Sequence, residues 1–288
     1  LSKSLEGKPF KIRVRLLNSS MSEKEHLIAE YILKQPERII RGTINQIADE
    51  LAIADSTVFR FCKRLGYTGY QDLKISLAAE KAQLSGDIHD MIQADDDEKT
   101  ILEKVFHFNI KTLEDTLTVI DEKDFCAAAE ALSQASRIEF FGFGGSNVIA
   151  LDGYHKFIRT GLSVNVQIDG HMQLMSASQL KEGDVAILIS HTGQSKDILD
   201  VLDIVRENKV STIGITGFTQ SSLSQAVDIP LYTLSEETDF RSEALASRIA
   251  QLSILDALFV TLMMTLDKQG ADSLDKVRKA IQHKRKKC

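Results

Sequence analysis

Residues 184–195, DVAILISHTGQS, decide the fold: an apolar run from Val185 to Ile189 stops in a loop of small hydroxylated residues and one glycine. A parallel strand buried on both faces reads as a near-continuous hydrophobic run, and its carboxyl end is where an open α/β sheet places its ligand. Ser190, Thr192, Gly193 and Ser195 occupy that end. The following KDILDVLDIVREN spaces Ile198, Leu199, Leu202 and Val205 as the apolar face of a helix. A helix amino terminus carries unpaired N–H groups and partial positive charge, so an anion docks there without a lysine clamp. Ser195 or Thr192 could equally be a plain helix cap, and the loop alone leaves both readings open.

A second stretch, RIEFFGFGGSNVIALDGYHKFIRTG, repeats the logic. Arg137 to Phe141 reads as a strand, Gly142, Gly144 and Gly145 as a tight turn, and Ser146 as the entry to a helix. Glycine lets backbone approach a ligand closely, and Ser146 adds a hydroxyl. The spacing falls short of the dinucleotide fingerprint, no acidic residue follows at the ribose distance, and there is no P-loop lysine. With the apolar strand VSTIGITG after them, the two loops resemble the SIS (sugar isomerase) domain over about residues 125–268. The resemblance implies a doubly wound, flavodoxin-like parallel sheet. It implies a phosphosugar held by Gly142, Gly144, Gly145 and Ser146 of the first loop and Ser190, His191, Thr192, Gly193 and Ser195 of the second, with Glu243 beyond them. Arg241, His171 and Gln173 are further candidates for contacting sugar hydroxyls.

The chain has 288 residues, 43% of them hydrophobic, enough for about two domains. No run of about 18 apolar residues and no apolar segment of a signal peptide stands out, and the expectation is a cytoplasmic protein away from membranes. Cys62, Cys126 and Cys288 are odd in number and far apart, against a disulfide framework or a zinc cluster; the expectation is two buried thiols and a tail. No cofactor or metal is implied. The net charge of −6 is uneven: the first 80 residues hold 13 Lys and Arg against 10 Asp and Glu, the remainder 22 against 31. Nucleic-acid contact, if any, belongs to the basic head.

That head shows three helical patterns. SEKEHLIAEYILKQ carries Leu27, Ile28, Tyr31 and Ile32 on one face, TINQIADEL carries Ile44, Ile47 and Leu51, and STVFRFCKRLG carries Val58, Phe61, Cys62 and Leu65 before Gly66. Ser22, Thr43 and Asp55 stand as amino-terminal caps, with Glu25 and Gln46 completing capping boxes. Only AIAD separates the second and third helices, the layout of a helix-turn-helix. Removing the core face of the third helix leaves Ser56, Thr57, Phe59, Arg60, Lys63 and Arg64 outward. Ser56, Thr57 and Arg60 would read base edges, whereas Lys63 and Arg64 would meet phosphates. A solvated face of an ordinary helical bundle is the alternative. The stretch from Thr43 to Lys74 resembles the amino-terminal domain of the RpiR/MurR family of bacterial regulators, at Arg60, Cys62, Lys63, Leu65, Gly66, Gly69, Tyr70, Asp72, Leu73 and Lys74. Members of that family join such a head to a SIS domain.

Three divisions are expected: a DNA-binding head at 1–84, a helical linker at 85–124 and a phosphosugar domain at 125–288. The linker opens with Asp95, Asp96 and Asp97, which read as solvated residues before a helix rather than a metal site, and continues with helical spacing at Ile101, Val105, Phe108, Ile110, Leu113 and Leu117. The segment SEALASRIAQLSILDALFVTLMMTLDKQG is apolar around most of a helix, which suits burial in a homodimer or within one subunit. The tail HKRKKC reads as disordered. The resulting expectation is a bacterial transcriptional regulator that binds duplex operator DNA and responds to a phosphosugar. The alternative is a sugar-phosphate isomerase with Glu243 as base and His155 or His171 assisting.

Overall fold

The computed structural model describes residues 8–84, 92–93, 95–217, 221–235 and 246–285, and the chain divides between Lys104 and Val105 into two compact units. The first unit is helical: α1 (Phe10–Leu17), α2 (Glu23–Lys34), α3 (Pro36–Arg41), α4 (Ile44–Glu50), α5 (Asp55–Arg64) and α6 (Tyr70–Leu84). Ile28, Ile32, Ile39, Ile47, Val58, Phe61, Cys62, Leu65 and Leu73 form one core. Leu27, expected on the buried face, is 43% exposed, because Ile28, Ala29 and Ile32 carry the packing of α2. Ser22 and Thr43 cap α2 and α4 with full capping boxes. Asp55 is not the cap of α5: Ala54 is, since its carbonyl accepts from the Thr57 N–H, and Asp55 lies in the first turn, where a carboxylate suits the helix dipole.

The turn between α4 and α5 closes through Ala52 N–H to Asp49 O and Ile53 N–H to Ala48 O, with Ala52 at φ 52°. Helices α1, α3 and α6 go beyond the three patterns read from the head. Glu80 of α6 accepts the first N–H of α1, at Phe10, 3.0 Å away. Burial pushes the Cys62 thiol up to about 12. Cys126, expected to be buried, is exposed. It lies on α8 (Glu122–Gln134), whose buried positions are Ala128, Ala129 and Leu132.

Helix α7 (Glu98–Val119) is present as expected, and of the expected apolar face Phe108 is buried and Val105 and Leu113 half-buried, but the rest of the face is not. Lys104, Phe108, Thr112, Thr116 and Val119 are buried, whereas Ile110 and Leu117 are 50% and 76% exposed. Thr116 accounts for part of the difference: its hydroxyl exchanges hydrogen bonds with the backbone of Leu234 at 3.0 and 3.3 Å, so a polar side chain faces inward there. Asp97 accepts from the Thr100 N–H at the start of α7, and Asp96 is paired with Lys104 at 2.7 Å. The hydrogen bond from Lys104 holds the Asp96 carboxyl below its usual range. Among the described residues no cluster of three or more His, Cys, Asp or Glu could hold a metal.

The second unit is an α/β layer structure. Strands β1 (Ile138–Gly142), β2 (Val164–Val166), β3 (Val185–Ser190), β4 (Ser211–Gly217) and β5 (Ile229–Thr233) form one sheet in the order β2-β1-β3-β4-β5, every pairing parallel. Alternate residues point to opposite faces. Ile138, Phe140, Val185, Ile187 and Ile189 join residues of α8, α9 (Gly145–Phe157) and α13 (Ala246–Arg285) on one face. Phe141, Ala186 and Leu188 join α10 (Gly170–Ala177), α11 (Lys196–Glu207) and α12 (Ser222–Ala226) on the other. Glu139 breaks the apolar run of β1. It is fully buried against Arg137, which also donates to the Ser176 hydroxyl at 3.0 Å.

Helix α13 packs one side on the sheet through Ala250, Ile254, Leu255, Leu258 and Leu262, and leaves Val260 and Met264 55% and 77% exposed. Contrary to the reading of no sufficiently apolar stretch, it contains an 18-residue window of mean hydropathy 1.8, long and apolar enough by composition to cross a membrane. Ser, Thr and Asp interrupt the run without lowering the mean below that level. The helix continues to Arg285, past the point where the tail reads as disordered, with non-helical backbone at Asp267 (φ 45°, ψ −116°).

Candidate functional site

Strand β1 lies between β2 and β3, so the chain leaves it toward opposite sides of the sheet and opens a crevice at the carboxyl ends of β1 and β3. The loop after β1 is held at its base by side chains. Gln173 accepts from the Gly142 N–H at 3.1 Å and donates to the Gly142 carbonyl at 2.9 Å, and Asn147 donates to the same carbonyl at 3.0 Å. Gln173 is fully buried. It therefore positions the loop, a role not anticipated for this candidate sugar contact, and Asn147 was not anticipated. A Cβ at Gly142 would stand 2.7 Å from the Ser146 carbonyl oxygen. At the tip, Gly144 caps α9 with φ 54° and ψ −123°, and a Cβ there would meet nothing within 4 Å. The tip exposes backbone to open space.

The loop after β3 is braced by its own hydroxyls. Ser190 accepts from the Gly193 N–H at 3.2 Å, and Thr192 accepts from the Gln194 N–H at 3.3 Å. Gly193, at φ 61°, is packed so closely that a Cβ would lie 2.1 Å from the Ser221 hydroxyl oxygen. Its carbonyl accepts from Leu223 N–H, and the His191 carbonyl accepts from Gly217 N–H, both across to neighbouring elements. Ser195 occupies the N-cap position of α11, yet its hydroxyl makes no capping hydrogen bond. Of the two readings of this loop, simple capping by Ser195 is not what the geometry shows.

A cavity of about 160 Å³ opens between these loops and the start of α13, lined by Phe143, Gly145, Ser146, His191, Ser247, Arg248 and Gln251. Of the expected ligand residues, Gly145, Ser146 and His191 line it. Gly142, Ser190 and Gly193 shape the loops, and Gly144, Thr192 and Ser195 sit at their tips or helix entry. Ser247, Arg248 and Gln251 were missed. Their only signal in sequence is a polar residue at every third or fourth position of an otherwise apolar helix. Glu243 and Arg241 lie outside the described residues. His171 is exposed at the start of α10, and His155 stands 3.3 Å from Arg159 on α9; neither lines the cavity.

In the helical unit, α5 turns Val58, Phe61 and Cys62 into the core and leaves Ser56, Arg60 and Lys63 exposed, with Thr57 half-buried and Phe59 44% exposed. The Arg60 Nε donates to its own helix at Ser56 O, 3.3 Å away. Arg64 is also exposed, and it is engaged within the unit. Its guanidinium lies 2.6 Å from Glu25 and donates to Ser20, tying α5 to α2. Partial burial raises the Glu25 carboxyl, but hydrogen bonds from the Ser22 N–H and from Arg64 outweigh that and hold it below its ordinary value. Much of the motif that carried the regulator resemblance is structural here. Leu65 and Leu73 are fully buried, Gly66 adopts φ 84°, Asp72 accepts from the Thr68 N–H at 2.7 Å, and Lys74 donates to the Gly42 carbonyl at 2.9 Å.

A basic-faced helix-turn-helix and a doubly wound module with an open crevice at its switch point define a two-part ligand-responsive regulator architecture. Comparison with known proteins agrees. The rpiR-family helix-turn-helix domain matches residues 11–84, and the SIS domain matches residues 131–261. The regulator HexR of Pseudomonas aeruginosa is 36% identical over 255 residues, 86% of this chain and 88% of its own. RpiR of Escherichia coli K12 is 28% identical over 249 residues, 86% and 84% of the two chains. Among solved structures, the Vibrio vulnificus NanR protein complexed with ManNAc-6P superposes with a TM-score of 0.60 at 25% identity, covering 94% of this chain and 97% of that one. The chain belongs to the RpiR/HexR family of helix-turn-helix transcriptional regulators that carry a SIS domain.

Proposed function

We propose that this regulator controls genes of sugar metabolism in the cytoplasm, binding duplex operator DNA as a homodimer or higher homo-oligomer and responding to a phosphosugar in the crevice between the β1 and β3 loops. The observation that carries the reading is the combination, in one chain, of a helix-turn-helix with a switch-point crevice bearing hydroxyls and open backbone, supported by the superposition over most of the chain on NanR, which was solved complexed with ManNAc-6P. Ser146, Ser190, Thr192 and Ser195, with the glycine backbones and His191, are the proposed ligand contacts. Ser56, Thr57 and Arg60 are the proposed base readers, with Phe59 and Lys63 beside them; Arg64 acts there only if it leaves Glu25. The functional divisions proposed are 1–84, 85–124 and 125–288. Exposed Leu102, Phe106, Ile110 and Leu117 on α7 and Val260 and Met264 on α13 supply apolar surface for a second copy.

An isomerase would need a base beside the sugar carbons. The regulatory relatives and the helix-turn-helix favour regulation over turnover. The test is duplex association at low salt, with and without phosphosugars. Ligand that binds two states unequally changes DNA affinity by about 5- to 150-fold. Arg60→Ala costs about 1–3 kcal/mol and relaxes base preference if Arg60 reads a base edge. Absence of any duplex association overturns the reading, and so does conversion of a sugar phosphate without DNA binding.

A further inference from the structure

The crevice has a third wall, built by the first turns of α13. Gln251 lines the cavity, is only 1% exposed, and its Nε2 has no hydrogen-bond partner among the described residues. A buried amide N–H without an acceptor is costly, and a native chain retains one where an absent molecule supplies the acceptor. Arg248 enters the same cavity nearly one turn earlier. Its guanidinium lies over the backbone at the start of α9, where a Cβ on Gly145 would stand 2.7 Å from Nη2. The two side chains offer different chemistry: a guanidinium fork suits an anionic oxygen, while a neutral amide donor suits an uncharged one.

We propose that Arg248 and Gln251 form a second contact set of the effector site, Arg248 holding an anionic oxygen of the phosphosugar and Gln251 donating to a hydroxyl or carbonyl oxygen of its sugar part. This rests on the phosphosugar reading of the crevice and sharpens it. The effector carries an uncharged acceptor positioned at the buried end of the cavity, and sugars lacking it at that position bind poorly. Bound ligand then bridges the β1 loop, His191 of the β3 loop and the start of α13, so that occupancy constrains where α13 begins.

The test uses the full chain, with thermal shift and calorimetric titration of glucose 6-phosphate, fructose 6-phosphate, N-acetylglucosamine 6-phosphate, N-acetylmannosamine 6-phosphate, ribose 5-phosphate and inorganic phosphate. Gln251→Met keeps the volume and removes the unpaired donor. It is expected to raise the melting temperature of the ligand-free chain, to weaken the best phosphosugar about tenfold, and to leave inorganic phosphate binding unmoved. Arg248→Met is expected to weaken phosphosugar and inorganic phosphate together. Unchanged phosphosugar affinity in Gln251→Met overturns the proposal, as does a lower ligand-free melting temperature with affinity intact, which would make Gln251 a core residue. If Ser190→Ala abolishes binding while both α13 variants bind like the parent, the crevice stands and this inference falls. If the parent chain responds to no phosphosugar at all, the underlying reading falls with it.

Discussion

The two loops that face each other across the crevice are built on opposite plans. The loop after β1 is clamped at its base from outside, by Gln173 and Asn147 on Gly142, and its tip at Gly144 stands in open space. The loop after β3 is clamped from within, Ser190 and Thr192 taking the N–H groups of Gly193 and Gln194, and it is wedged against Ser221 and Thr216. One lends exposed backbone, and the other holds hydroxyls in a fixed frame. A site assembled this way spends little ordering on binding, because the donors are placed before the ligand arrives.

The sharpest way to break that contrast is a methyl group on each glycine. Gly193→Ala forces a Cβ into the Ser221 hydroxyl at 2.1 Å and keeps a left-handed backbone, so overpacking and strain act together. A loss of about 3 kcal/mol or more is expected, read from denaturant unfolding of the purified variant. Gly144→Ala meets no atom, and only the backbone penalty of about 1–3 kcal/mol applies. Equal losses at the two sites would show that the β3 loop relaxes freely and is not a fixed frame.

The external clamp is tested next. Gln173→Leu keeps the bulk but leaves the Gly142 N–H without its acceptor, and about 1–3 kcal/mol should be lost. The loss should be accompanied by a weaker response to phosphosugar, because the base of the loop is released. A stable variant with normal ligand response would mean that Asn147 alone holds Gly142.

How much of this was legible in the chain follows from which signals are one-dimensional. Strand β3 is a continuous apolar run, and β1 and β4 are mostly apolar, interrupted by Glu139 in one and by Thr212 and Thr216 in the other; all three were readable, as were the hydroxyls and glycines that end them. Strand β2 is only three residues, Val164–Val166, and β5 carries Pro230, which an edge strand tolerates; neither pattern stands out. Capping boxes at Ser22 and Thr43 were readable because their partners lie three residues away. The partners of Gln173, Arg64 and Thr116 are set by chain crossings many residues distant. Gln173 thus read as a candidate ligand contact, and the fold shows it clamping Gly142; Arg64 read as a phosphate contact, and the fold shows it paired with Glu25. Helix α7 buries Thr116 and leaves Ile110 and Leu117 exposed for the same reason, since the Thr116 bond to Leu234 spans 118 residues.

The smallest stability effect is the most informative about function. Ser195 stands at the entry of α11 with a hydroxyl that caps nothing, whereas Ser190 secures the Gly193 N–H. Ser195→Ala should therefore change unfolding free energy by no more than about 0.5 kcal/mol, because no intramolecular bond is lost. Replacing a capping serine typically costs about 1 kcal/mol, so a loss of that size would show that the hydroxyl turns inward to cap α11 in solution. If the crevice binds an anion as proposed, the same substitution weakens phosphosugar binding by about tenfold, the worth of one hydrogen bond to a charged group. A hydroxyl that contributes nothing to folding yet is missed by the ligand separates the two readings of the β3 loop that sequence alone left level.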